Sequence, residues 1–157
     1  MNRRMMLATA LLAIAIPLTA QKPVVDPLIG TWIVKVPGAT PAETFYAVHT
    51  FHAGGTFTEN SSLLPGLNEG PAQGSWKRDG SQYKLTFQLF SFDAKKQYNG
   101  YIRVRCTIRL TQQDRFEADS TVDLIDKEGK VELAIAQSPF QGVRLKIDPA
   151  GPPAIIP

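Results

Sequence analysis

The chain has 157 residues, 43% of them hydrophobic and 20% charged, with a formal net charge of +3. That is enough for one domain around one core, and the charge balance lacks the basic excess that a nucleic-acid partner requires. Cys106 is the only cysteine, which excludes an intramolecular disulfide.

Residues 1–20 differ in character from the rest. Arg3 and Arg4 precede an apolar run from Met5 to Leu18, and Leu18-Thr19-Ala20 has the small-residue ending of a cleavage site. The run falls short of the roughly 20 residues that a membrane span needs. It therefore reads as a cleaved signal peptide, and the working chain as exported, periplasmic or secreted, with no membrane span. Cleavage removes two of the 17 basic residues and no acidic one, so 15 basic face 14 acidic residues and the net charge falls to +1. No cysteine stands at the cleavage point to carry a lipid.

Gln21 to Pro27 is a short polar leader. Trp32, Val34 and Val36 then share one face of a first strand, and Pro37 to Pro41 is a loop. Glu43 to His52 reads as the second strand. Ala53-Gly54-Gly55 is a turn that returns the chain so that Phe51 faces Phe57, His49 faces Glu59 and Phe45 faces Leu63. Leu64 to Pro71 is a break. A strand around Gly74 to Lys77 leads to Asp79-Gly80, a type I′ signal that sets Trp76 opposite Tyr83. Tyr83, Leu85, Phe87 and Leu89 then alternate with polar residues.

Tyr98 to Asp126 carries the strongest periodicity in the chain. Ile102, Val104, Cys106, Ile108 and Leu110 lie on one face, with Arg103, Arg105 and Arg109 on the other. After a loop at Gln112-Gln113-Asp114, Phe116, Ala118, Ser120, Val122 and Leu124 alternate with Glu117, Asp119, Thr121 and Asp123. Pairing Leu110 with Phe116 aligns the apolar faces. It also sets Arg109 opposite Glu117 and Arg103 opposite Asp123, as an ion-pair ladder on the outer face rather than an anion site. Val131, Leu133 and Ile135 give a further strand, and Val143, Leu145 and Ile147 the last. Asp148 to Pro157, with four prolines and no pattern, reads as a flexible tail.

Eight or nine strands joined by short turns, with no helix, predict an all-β fold. Up-and-down antiparallel order favours an eight-stranded β-barrel over 28–147, because closure removes sheet edges. A β-sandwich is the alternative. The opening Leu28-Ile29-Gly30-Thr31-Trp32 resembles the Gly-x-Trp start of the lipocalins, in the form seen in bacterial lipocalin-like families. The resemblance implies a calycin barrel, with Trp32 closing its bottom, Arg144 of the last strand packed on that Trp, and a cavity for a small apolar ligand. The second lipocalin motif, a Thr-Asp-Tyr run, is absent, as is the usual disulfide.

Within this frame, His49 and Glu59 oppose each other on the face that carries Phe51 and Phe57. Ser61 and Ala47 leave room beside them. His49, Glu59, Phe51, Phe57 and Ser61 are the candidate ligand-binding set, since a carboxylate beside an imidazole orients it and raises its basicity. A satisfied polar pair near the barrel mouth is the alternative for the two. His52 points to the opposite face, so no His pair chelates a metal, and no metal or cofactor is expected. Cys106, between Val104 and Ile108, reads as a buried inert thiol. No nucleophile elbow or phosphate loop occurs, and no residue is assigned a catalytic role. The expected partner is a small, mainly apolar molecule held in a half-filled barrel. Two alternatives stand beside it: an isomerase or cyclase using His49 and Glu59, or a solid barrel with no ligand, which the bulk of inward Tyr83, Leu85, Phe87 and Leu89 favours.

Overall fold

A computed structural model of the chain describes residues 25–38, 40–63 and 70–147, with position 41 and positions 136–138 described by backbone alone. The signal peptide expected at 1–20, the tail expected at 148–157 and most of the break after Leu63 lie outside the described residues.

Eight antiparallel strands follow one another around a closed barrel. They are β1 (Gly30–Val36), β2 (Phe45–Phe51), β3 (Thr56–Ser61), β4 (Ala72–Asp79), β5 (Gln82–Phe92), β6 (Tyr98–Gln112), β7 (Arg115–Asp126) and β8 (Val131–Arg144). A 3-10 turn at Pro41–Glu43 is the only helical element among the described residues. The strand alternation expected from the sequence is the alternation observed. Trp32, Val34 and Val36 are buried, and so are Tyr83, Leu85, Phe87 and Leu89.

The β6–β7 register matches the expectation from Gly100 opposite Asp126 to Leu110 opposite Phe116. The loop itself is shorter than expected. Gln112 pairs with Arg115, and the spare residue is stored in a bulge at Thr111, which leaves the register below it unchanged. The ion-pair ladder forms with one change of partner. Arg109 reaches diagonally to Asp119, at 2.7 Å, rather than to Glu117 directly opposite. Arg103 and Arg105 both close on Asp123, at 2.8 and 2.9 Å.

Three expectations need correction. Trp76 stands opposite Leu85, and Tyr83 opposite Arg78, because the β4–β5 turn is centred on Gly80-Ser81. Only Gly80 has a positive φ, +62°. That fits a type II′ turn, which spares Asp79 the left-handed backbone that a type I′ turn would impose on it. The slip is by two residues, so every side chain keeps its face. The second correction concerns the last strands. Val131 to Arg144 is one strand. The third is that β3 ends at Ser61 before Leu63 can face Phe45.

β8 is not regular. Two steps along β7, Ala118 to Ser120, are matched by three along β8, from Phe140 to Gln137. Pro139 lies inside this irregularity, where a residue without an N–H is tolerated. The extra residue reverses the alternation. Phe140, Gly142 and Arg144 face inward below it. Above it, Ile135 and Leu133 stand opposite Val122 and Leu124 and so share their inward face.

The barrel closes between β1 and β8 through only four residue pairs, Trp32–Arg144 to Lys35–Gln141. Side chains reinforce this seam. The Arg144 guanidinium lies 4.1 Å from the Trp32 ring centroid. It donates to the Ile29 carbonyl at 2.9 Å, to the Pro27 carbonyl and to Asp114 Oδ1 at 3.0 Å. Trp32 Nε1 donates to the Leu28 carbonyl at 3.0 Å. Gly30, at φ +133°, is required here, since a Cβ on it would stand 2.6 Å from Arg144 Nη1.

Arg144→Ala should therefore lower the unfolding free energy by about 2–4 kcal/mol, through loss of the stacking and of charge-assisted bonds to carbonyls. Arg144→Lys should recover little of it, because an ammonium neither stacks nor forks in the same way. Urea denaturation followed by Trp emission measures both. Asp123 makes a second test. The hydrogen bond from Arg103, followed by the charges of Arg105 and Arg103, holds its carboxyl below the usual carboxylate range despite an opposing effect of burial. The stabilisation is present above the unfolded value of 3.8 and is lost as pH falls through the lower folded value. Asp123→Asn should thus be less stable than the parent at pH 7, with the gap closing below about pH 4. Asp119→Asn, at an exposed pair, should change little.

Candidate functional site

The interior changes character along the barrel axis. At the closed end, near Trp32, the turns β2–β3, β4–β5 and β6–β7 gather, and aromatic rings fill the space between the strands. Trp32 and Phe116 meet edge to face at 5.1 Å. Phe51 and Phe57 stand 5.1 Å apart, and Phe57 and Phe87 5.2 Å apart. A Cβ on Gly142 would overlap the Phe116 ring at 2.2 Å, so a glycine on β8 is what lets that ring lie across the strand.

Exposure rises steadily from this floor. Trp32, Ile108 and Ala118 are fully buried, whereas Leu89, Val104 and Val122 each keep 8% of their surface accessible. Ile102, Leu124 and Phe45 are half-buried further up. Leu133 and Ile135, on the inner face of β8, are 48% and 45% exposed. The wall from β5 to β8 is also the longer one, with strands of 11, 15, 12 and 14 residues against 7, 7, 6 and 8 in β1 to β4. The barrel is therefore packed with rings at one end and carries accessible apolar side chains at the other.

The sequence-derived set falls on both sides of this gradient. Phe51 and Phe57 belong to the floor, each 1% exposed, and shape its upper surface rather than a mouth. His49 and Glu59 are paired residues of β2 and β3 just above it. Ser61 lies on the same inward face, opposite Ala47, and its Oγ accepts from the Leu63 N–H at 3.2 Å. His52 is on the outer face, where its Nε2 meets Thr58 Oγ1 at 3.3 Å.

His49 Nε2 and Glu59 Oε2 are 3.9 Å apart, close enough for electrostatic contact and too far for a hydrogen bond. His49 is enclosed by the rings of Phe51, Phe57, Phe87 and Phe140, with centroids at 5.1–6.4 Å. Here burial wins over the neighbouring carboxylate. It pushes the imidazole down to about 3, the reverse of the rise expected from the Glu59 charge. His49 is thus neutral in the folded protein, and its buried Nδ1 has no hydrogen-bond partner. The Cys106 thiol is pushed up to about 12 by burial and by the Glu59 carboxylate, which acts on it from another wall. At neutral pH it is a thiol and not a nucleophile.

Sequence reasoning missed the upper lining of the lumen, above all Leu133 and Ile135. Their alternation is visible, but it continues without a break in numbering into Val143 and Leu145, which face solvent. Pro139 is the one signal of the intervening bulge. Among the described residues, no three His, Cys, Asp or Glu side chains gather as metal ligands, and no helix is long and apolar enough to cross a membrane. Compared with family models, with curated proteins and with solved structures, the chain matches none.

The neutral state of His49 has a measurable consequence. With a folded value near 3 and an unfolded one of 6.5, the unfolded chain binds the extra proton between these limits. Its contribution to stability is full above the unfolded value and falls with pH, with a slope of at most about 1.4 kcal/mol per pH unit. Between pH 6.5 and 5, where Asp123 does not titrate, denaturation of the parent should show this loss and His49→Gln should not. The His49 ring resonances should stay unshifted from pH 8 to 5 in the folded protein.

Proposed function

We propose that this protein is an exported, lipocalin-like carrier that holds a small, mainly apolar molecule in the open half of its barrel. The observation that carries the reading is the exposure gradient, from a ring-filled floor at Trp32 to accessible inward Leu133 and Ile135. An eight-stranded barrel is just wide enough to be filled by side chains or to hold one small ligand, and here the two conditions occupy opposite ends. Ala47, Ser61, Ser120 and Gly100 add small residues to the inner face of the open half. The lipocalin-like assignment draws support from the Gly-Thr-Trp opening and from Arg144 stacked on Trp32. Export draws support from the composition of residues 1–20.

The same geometry weakens the isomerase or cyclase reading. A general base works best with a pKa near the working pH, and His49, held near 3, offers no such base. The solid barrel remains the second reading, favoured by the continuous ring packing from Trp32 to Phe87.

One preparation tests the proposal. Protein recovered from the periplasm or medium of its own host should begin at Gln21 by intact mass, and native mass spectrometry should reveal a retained small molecule. After delipidation, the uncharged probe N-phenyl-1-naphthylamine should bind at micromolar levels with enhanced emission. Leu133→Glu or Ile135→Glu should weaken that binding at least tenfold, while Val143→Glu, on the outer face, should not. Failure of every apolar probe to bind the folded protein would replace the carrier with the solid barrel.

A further inference from the structure

The head group of the ligand is the next question, and it rests on the carrier reading above. Glu59 is the one charged side chain facing the lumen between floor and rim among the described residues. Arg144 lies at the closed end, stacked on Trp32. Arg78 is at that end too, 5.5 Å from the Tyr83 ring centroid and 3.5 Å from Asp26. At the rim, the inward Asp126 accepts from the Glu128 and Lys130 N–H groups of its own turn. Among the described residues, no cation therefore faces the lumen above the floor.

The Glu59 side chain keeps about 10% of its surface accessible, while its Oε2 atom is buried. Beside it, the neutral His49 ring keeps one nitrogen as an acceptor, and its Nδ1 has no partner at 97% burial. The 3.9 Å between His49 Nε2 and Glu59 Oε2 is too long for a direct bond. The rings around His49, those of Phe57, Phe87 and Phe140, offer π-faces that favour a cation.

We infer that the lumen selects apolar amines over apolar acids, with Glu59 receiving the ligand's ammonium group. An ammonium brought to Glu59 loses water and gains a carboxylate and neighbouring aromatic faces. A ligand carboxylate at the same place would set two like charges together in a medium that screens them poorly.

The test compares octylamine, 1-octanol and octanoic acid, which share one tail, as competitors of N-phenyl-1-naphthylamine on the delipidated full chain at pH 7. Octylamine should bind at least tenfold more tightly than octanoic acid, with octanol between them. Glu59→Gln should bring octylamine to the level of octanol and improve octanoic acid. The ratio in the parent protein decides the question even if the variant does not fold. Equal or tighter binding of octanoic acid overturns the head-group assignment while the carrier reading stands. An unchanged ratio in folded Glu59→Gln removes Glu59 from the assignment. If neither the reporter nor any of the three tails binds, the lumen itself is closed and both readings fall.

Discussion

The contact between Arg144 and Trp32 is the constraint on which the barrel depends. It joins the first strand to the last, across more than a hundred residues of chain. Bringing such distant ends together carries a length-dependent entropic cost of about 4 kcal/mol, and the ladder that meets it has only four residue pairs. A seam so short needs side chains to hold it. Arg144 supplies them with one planar group, which covers the Trp32 ring and ties the leader carbonyls and the β6–β7 turn to the end of β8. Trp32 in turn hydrogen-bonds to Leu28 and seats Phe116, from which the rest of the ring packing builds upward.

A floor packed this tightly at one end leaves the other end free to differ. The strands on one side of the barrel are about half as long as those on the other, and the surplus of β8 projects past β1, to which it pairs only at Gln141–Arg144. Among the described residues, the inner face of that overhang has no paired strand of β1 beside it. Apolar side chains that would be core in a symmetric barrel are accessible there instead. The accessibility of these side chains is a consequence of unequal strand lengths and of one bulge, with no special residue type required.

The polar pair shows how much the surroundings decide. On a strand diagram His49 and Glu59 look like an ion pair, and in water they would be one. Four phenylalanine rings around the imidazole make its charged form too costly, so the neighbouring carboxylate faces a neutral ring. What would have been a base becomes an acceptor. That single change takes away the base that proton transfer from this ring would need near neutral pH.

Much of this was legible in the chain by itself, because a period of two is a local property. Alternation assigned Phe116 to Leu124 and Ile102 to Leu110 to one face. The match of apolar faces and of Arg103 with Asp123 set the β6–β7 register, and the Gly54-Gly55 turn set His49 opposite Glu59. The Gly-Thr-Trp opening and Arg144 marked both sides of the seam. Tertiary structure alone decided the rest. Whether Gly80 takes the first or the second central position of the β4–β5 turn, and so whether Trp76 or Arg78 stands opposite Tyr83, depends on small differences in turn energy that alternation does not register. The bulge at Pro139 turns Leu133 and Ile135 inward while Val143 remains outward, and numbering carries no trace of that reversal. The charge state of His49 depends on rings contributed by β2, β3, β5 and β8 together, and only closure of the barrel brings them within reach of one another.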